Sequence, residues 1–324
     1  MKLDLDAQIK QGVKIIQTGG VVAFPTETVY GLGADVFNEQ AIAKIFVTKN
    51  RPADNPLIVH ISSLDMLPKL VDNISFENQK LIDQFWPGPL SLVFPKSKLI
   101  PDIVTAGLDT VVIRFPSDII AQKFISECEV PLAAPSVNPS GKPSSTTASH
   151  IRDYFKNEVF VIEGDKSKIG LESTVINALE RTPVILRQGY ITQEQIEKVL
   201  PKSVNIAHKK TKVQSPGMKY RHYAPEARLE LVPLNQNIIS KIEFYLDQNY
   251  KVGALVSKQI YNMLPNTVLG FDLGDKNNLD NISANLYAGL HHFDFQEIDI
   301  IIAESFPTQG LGVAIMDRLN RAAE

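Results

Sequence analysis

Four short segments concentrate the groups that can do chemistry. FPTETVYGLGAD (24–35) follows an apolar run with hydroxyls, a carboxylate and two glycines. Glycines after a strand let the backbone approach a ligand and take φ > 0, although a threonine-rich turn reads the same way. KNRPADNPLIVH (49–60) sets Lys49 and Arg51 at a helix end, ahead of a proline-held loop. Bases there complement the helix dipole, which is a sufficient structural reason for them. They are equally suited to phosphate, the arginine as a planar fork and the lysine as a point charge. His60 closes an apolar strand, where a histidine more often packs in the core than meets a ligand. APSVNPSGKPSSTTA (134–148) crowds Ser136, Asn138, Ser140, Ser144, Ser145, Thr146 and Thr147 around one glycine and three prolines. It is either a donor-rich anion loop or an exposed Ser/Pro linker. Finally, GLESTVI (170–176) and LRQGYI (186–191) put Glu172, Ser173 and Thr174 before a strand and Arg187 at the end of another. An arginine in that place commonly snorkels to the surface.

Other chemistries lack their residues. There is no G-x-x-x-x-G-K-[ST] loop, and Gly31-Leu32-Gly33 runs into Ala34-Asp35-Val36, so the dinucleotide fingerprint is incomplete. Neither a G-x-S-x-G elbow nor a kinase signature set is present. One cysteine, Cys128, and one adjacent histidine pair, His291-His292, make a poor metal set. No protein-held metal is expected; magnesium would arrive with a nucleotide, and zinc, flavin and nicotinamide are not expected.

The elements that must hold these segments follow from periodicity. Ile9, Val13 and Ile16 share a helical face, and Gly19-Gly20 ends that helix. VVAF (21–24), LIVHI (57–61), LSLVF (90–94) and TVVIRF (110–115) read as strands, as do FVIE (160–163), STVIN (173–177) and PVILR (183–187). Asn38 caps a helix through about Thr48, with Ile42, Ile45 and Phe46 inward. A further helix stops near Phe85-Trp86, at Pro87-Gly88-Pro89, and another spans Ile119 to Cys128. Strands in runs, without a helix after each, predict an α/β fold with a mixed, twisted, open sheet. After 228 the alternation is regular: LELV (229–232), a helix near 238–248, VGALV (252–256), TVLGF (267–271), a helix near 279–292, DIIIAE (299–304) and a helix from about 311. That pattern predicts a small, Rossmann-like parallel α/β domain. The expected division is a catalytic domain over 1–204, a basic linker over 205–228 and a C-terminal domain over 229–324.

The chain has 324 residues, 44% hydrophobic and 21% charged, enough for two cored domains. Its net charge of -3 is uneven. Residues 1–200 carry 20 Lys and Arg against 23 Asp and Glu, residues 201–228 carry 7 against 1, and residues 229–324 carry 6 against 12. The basic stretch is either a solvated linker or a strap over an anionic ligand. The acidic, interrupted N-terminus is not a signal peptide, and the longest apolar runs are too short for a bilayer. A cytoplasmic protein with no membrane contact is expected.

Taken together, the four segments resemble the YrdC-type L-threonylcarbamoyladenylate synthases. PTETVYGLGAD, K-x-R-P-x-x-N-P-L-I-V-H, APS-x-N-x-SG-x-PS, G-x-EST and LR-x-G match that family's motifs across about 10–200. SPGMKYRHYAP (215–225) and the ending GLGVAIMDRLNRAA (310–323) are similar to the long, two-domain form. Val137, where the family often has alanine, and Ser145, where it often has proline, are small departures.

The resemblance implies a YrdC-like fold and a reaction in which L-threonine, bicarbonate or CO2, and ATP give threonylcarbamoyl-AMP and pyrophosphate. The product would pass to a separate tRNA threonylcarbamoyl transferase, and a weak contact with tRNA is expected. Carried onto this chain, the threonine site is Thr28, His60, Arg114, the backbone at Ala134, and Ser173. The ATP site is Arg51, Asn55, Thr110, Ser136, Ser144, Arg187 and Tyr223, with Lys49 a further phosphate contact. No catalytic base is identified: Lys49, Arg51 and His60 position the reactants. The alternative is an RNA-binding YrdC-like module without adenylate-forming activity.

Overall fold

The computed structural model describes residues 4–200, 203–207 and 223–324. Of the basic stretch 201–228, which is either a linker or a strap by sequence, residues 201–202 and 208–222 lie outside them. The chain forms two units.

The first unit holds ten strands among the described residues: β1 Val22–Phe24, β2 Gly31–Asp35, β3 Ile58–His60, β4 Leu90–Pro95, β5 Thr110–Arg114, β6 Leu132–Ala133, β7 Phe160–Val161, β8 Thr174–Asn177, β9 Val184–Arg187 and β10 Asn205–Ile206. They form one mixed sheet in the order β10-β9-β8-β4-β5-β3-β6-β2-β1-β7. Its helices are α1 Leu5–Gln17, α2 Glu39–Lys49, α3 Phe76–Phe85, α4 Asp102–Thr105, α5 Ile119–Cys128, α6 Ala148–Phe155 and α7 Gln193–Val199. Side chains alternate across a strand. Val59, Leu92, Ile113 and Ile176 therefore enter one core with Ile42 and Ile45 of α2 and Leu81 of α3. Ile58, Val93, Val112 and Val175 form a second cluster on the opposite face. Phe24, Leu132 and Ala134 pack with Ile9 and Ile16 of α1 and Phe124 and Ile125 of α5.

Two expectations about the Phe24–Asp35 stretch change. GLGAD is a strand, not a turn, paired on both sides by β1 and β6. Gly31 and Gly33 are not among the positive-φ glycines. What Gly33 provides is space, since a Cβ there would lie 2.8 Å from the Phe24 ring. Asn205–Ile206, where the sequence shows no period, adds a short strand parallel to β9.

The second unit is built from the chain after residue 222, together with two short loops, Gly141–Ser144 and Ile169–Leu171. Its strands are β11 Arg228–Val232, β12 Val252–Val256, β13 Leu269–Asp272 and β14 Ile300–Glu304. They run parallel in the order β11-β14-β12-β13. The connecting helices are α8 Ile238–Leu246, α9 Lys258–Tyr261 and α10 Leu279–Asp294, and α11 Leu311–Ala323 closes the chain. Parallel strands need such crossovers. No helix among the described residues is long and apolar enough to cross a membrane.

Candidate active site

The first unit's sheet assembles the site by register. His60 lies opposite Arg114, and Arg114 opposite Ser91. Because alternate residues share a face, these three side chains stand on the same side as Ile58, Val112 and Val93, one step further along each strand. Ser91 Oγ lies 2.7 Å from Ser173 Oγ, which extends the polar row to the start of β8. Arg187 then holds Ser173 from the other side. Its Nε and Nη2 donate to the Ser173 carbonyl at 3.1 and 3.0 Å, and Nη2 also reaches Ser173 Oγ at 3.0 Å. Gly189 permits this crossing, since a Cβ there would sit 2.3 Å from Thr174 N.

Arg114 is the hub. Nη1 donates to Thr28 Oγ1 at 2.7 Å, and Nε points to the Gly88 carbonyl at 3.4 Å. Nη2 is 2.8 Å from Glu27 Oε1, and the two side chains are 4% and 8% exposed. That approach is off the hydrogen-bond line, so Nη2 and Glu27 Oε2 both lack a hydrogen-bond partner among the described residues. We read the contact as charge pairing that leaves donor capacity over. Glu27 Oε1 also accepts the Ser117 N–H at 3.1 Å. Thr28 is steadied by Thr26, whose Oγ1 is 2.9 Å from Thr28 Oγ1 and donates to the Val29 carbonyl at 2.6 Å.

His60 is sealed in this row. Its Nδ1 faces the Ile58 carbonyl at 3.2 Å, and its ring meets Phe24 edge-on at 6.1 Å. Burial, with the Arg114 charge adding to it, pulls its pKa down to about 3, against the opposing pull of the Ile58 and Leu132 carbonyls. The ring is therefore neutral at physiological pH and a weak base. Ala134 donates its N–H to the Ile58 carbonyl at 2.9 Å, so its own carbonyl is what it can offer a ligand.

The opposite end of the same strands carries a second group. Helix α2 begins at Asn38, whose side chain takes the Ala41 N–H, and ends at Asn50 in the left-handed conformation. Asn50 turns the chain so that Arg51 leaves the helix, and Arg51 Nη2 donates to the carbonyls of Asn55 and Pro56 at 3.2 and 3.1 Å. Asn55 is fully buried, and neither its Oδ1 nor its Nδ2 has a partner among the described residues. Extending the β3–β5 register by two residues sets Thr110 beside Pro56. Four residues of strand separate this group from His60 and Arg114, about 13 Å.

Lys49 stays inside rather than reaching outward. It is 2% exposed. It donates to the Ser136 carbonyl at 2.6 Å and to the Asn138 carbonyl. Burial, reinforced by the Arg51 charge, holds its ammonium well below the usual lysine range. It ties the 136–138 loop to α2, and Ser136 Oγ in that loop donates to Asn138 Oδ1 at 2.6 Å.

The threonine-side residues expected from sequence, Thr28, His60, Arg114, Ala134 and Ser173, thus share one region of the first unit. Arg51, Asn55, Thr110 and Ser136 lie toward its other end, whereas Arg187 stands with Ser173. Ser144 and Tyr223 belong to the second unit. Glu27 and Ser91 are additions. Glu27 is inside a singled-out motif, but only the fold shows its partner. Cys128 is buried, and burial first of all pushes its thiol up to about 12, so it is no nucleophile. Among the described residues no group of three or more His, Cys, Asp or Glu is placed to hold a metal.

The chain is similar to known proteins along nearly its whole length. A family model for Sua5, YciO and YrdC, described as "Telomere recombination", matches residues 14–189, and one described as "Threonylcarbamoyl-AMP synthase, C-terminal domain" matches residues 191–324. Threonylcarbamoyl-AMP synthase of Pyrococcus abyssi is 42% identical, covering 98% of this chain and 94% of the relative. That of Bacillus subtilis is also 42% identical, covering 98% and 93%. The crystal structure of P. abyssi Sua5 complexed with L-threonine matches with a TM-score of 0.91 at 41% identity, covering 100% of this chain and 96% of that one.

Proposed function

The chain belongs to the threonylcarbamoyl-AMP synthase family, and from that we propose that it makes threonylcarbamoyl-AMP and pyrophosphate from L-threonine, bicarbonate or CO2, and ATP. The observation that carries this reading is the set of buried polar atoms without a hydrogen-bond partner among the described residues, Arg114 Nη2, which has only its charge contact with Glu27, at one end and the Asn55 amide at the other. Such atoms cost about 1–3 kcal/mol each when unsatisfied, so the site is built for something that satisfies them.

On this reading the threonine carboxylate meets Arg114, while Thr28, Ser173 and the Ala134 carbonyl orient its amine and hydroxyl. The amine attacks CO2 and loses a proton to give a carbamate. A carbamate oxygen then attacks the α-phosphorus of ATP, and the bond to the leaving pyrophosphate breaks. This step asks for alignment and charge neutralisation rather than a strong base. A histidine with a pKa near 3 fits that demand, since it positions without taking protons. Arg51, Asn55, Thr110 and Ser136 serve the nucleotide. Ser144, Arg187 and Tyr223 are the remaining ATP contacts that the resemblance implies.

Magnesium would come with ATP, held by phosphate oxygens and water, and would offset phosphate charge. Glu27, the carboxylate beside Arg114, is already engaged by Arg114 and Ser117. The product is a mixed anhydride, and on this reading a separate tRNA threonylcarbamoyl transferase consumes it in the cytoplasm.

The test is direct. Incubation with ATP, bicarbonate and threonine should give threonylcarbamoyl-AMP and pyrophosphate by mass spectrometry, and omitting any one substrate should abolish both. If no adenylate forms while tRNA affinity falls steeply with salt, the chain is an RNA-binding module instead.

A further inference from the structure

The carboxylate of Asp294 joins two segments of the second unit that sequence keeps far apart. Its Oδ1 accepts the Glu226 N–H at 2.7 Å. Its Oδ2 faces Lys142 Nζ at 3.5 Å, and the Asp294 side chain is 1% exposed. Lys142 also reaches Glu226 Oε1 at 3.2 Å. Beside them, the Ala224 N–H donates to the Gly141 carbonyl at 2.9 Å. The loop that carries Ser144 is thereby stitched to the segment that begins at Tyr223.

Tyr223 itself is held hard. Its φ is +68°, a region a bulky residue occupies only when its surroundings impose it. It is 6% exposed. Its ring lies 5.2 Å from Tyr287 of α10 and 5.4 Å from the guanidinium of Arg318 of α11, which is itself fully buried. Ser144 is buried as well.

Asp294 is the last residue of α10. A negative charge there opposes the helix dipole, so helix stability does not account for it. Its contacts with a backbone N–H of one segment and a lysine of the other do.

We infer that Asp294 is a positioning residue for the nucleotide, setting the Gly141–Ser144 loop and the Tyr223–Glu226 segment in register with each other. The inference rests on the reading above that Ser144 and Tyr223 face ATP.

The probe is the α,β-methylene analogue of ATP, which cannot release pyrophosphate, titrated against the full-length protein. Asp294→Asn keeps the acceptor for Glu226 and removes the charge facing Lys142. It should weaken the analogue about fivefold or more while leaving threonine affinity and the melting temperature close to wild type. Lys142→Met, which also removes the contact with Glu226, should weaken it at least as much, and the double variant should lose less than the sum of the two single losses, because both break the Asp294–Lys142 pair. Glu297→Gln, which breaks an exposed ion pair with Lys251 elsewhere in the unit, is the control and should change nothing. Unchanged analogue affinity in Asp294→Asn, an equal loss for threonine, or additive effects of the two substitutions would overturn the proposal. A wild-type protein that forms no adenylate, but whose Asp294→Asn variant still loses the analogue, would overturn the functional reading and leave the positioning role standing. Failure of the wild type to bind the analogue would overturn both.

Discussion

Arg114 and Glu27 meet with Nη2 2.8 Å from Oε1, and both side chains are almost sealed from water. The arginine proposed to meet the threonine carboxylate is therefore held by a carboxylate of the same chain. Breaking a buried pair on one side leaves a charge without compensation, whereas replacing both members need not.

Glu27→Leu should thus destabilise the protein by about 3–5 kcal/mol, and the double variant Glu27→Leu/Arg114→Met should recover most of that while making no product. Urea unfolding and the adenylate assay read the two effects separately. A double variant no more stable than Glu27→Leu would show that the two charges are not coupled.

Arg114→Ala should cost about 2–5 kcal/mol of transition-state binding if the guanidinium holds the threonine carboxylate. The loss should appear in kcat/KM for threonine. A fall of less than about tenfold, which is 1.4 kcal/mol, would assign the carboxylate to another group.

His60 bears on pH through its depressed pKa of about 3. The unfolded chain binds a proton below about 6.5 that the folded chain refuses until near 3, so stability should fall as pH drops through that window. The slope from this one group is about 1.4 kcal/mol per pH unit. In His60→Asn the loss of stability between pH 6.5 and 4.5 should be smaller by about 2 kcal/mol, and equal slopes would mean that His60 is not kept neutral. The activity profile of the wild type should show no titration assignable to His60 near pH 6.5.

Asn55 is a buried amide with both polar atoms unpartnered among the described residues. Asn55→Ala removes no internal hydrogen bond of that side chain, so the free protein should change in stability by no more than about 1–2 kcal/mol. Its affinity for ATP should nevertheless drop, visible as a smaller rise in melting temperature with added nucleotide. An ATP-induced shift equal to that of wild type would place the nucleotide elsewhere.

Much of the scaffold was legible along the chain. Helix α2 starts at Asn38 and α5 spans Ile119–Cys128, as cap and period predict. Strand β5, Thr110–Arg114, follows from its β-branched run. The missing pieces lack a local signal. Strand β2 has two glycines in five residues and becomes a strand because β1 and β6 pair it and the Phe24 ring occupies the space above Gly33. Strands β6 and β10 are two residues long and exist only through their partners.

The site divides in the same way. Sequence alone determined which residue types were available, Thr28, Lys49, Arg51, His60, Arg114, Ser173 and Arg187, because those motifs need no partner to be read. The tertiary structure decided what each one does. Lys49, an expected phosphate contact, ties a loop to a helix through Ser136 and Asn138 in the folded chain. Arg187, an expected nucleotide contact, also holds Ser173. Arg114 bonds Thr28 across 86 residues, and Ser91 meets Ser173 across 82. Side-chain alternation is written into consecutive residues, so a strand announces which face each residue takes. The order β8-β4-β5-β3 and its register depend on contacts between distant segments, and only the folded sheet brings those together.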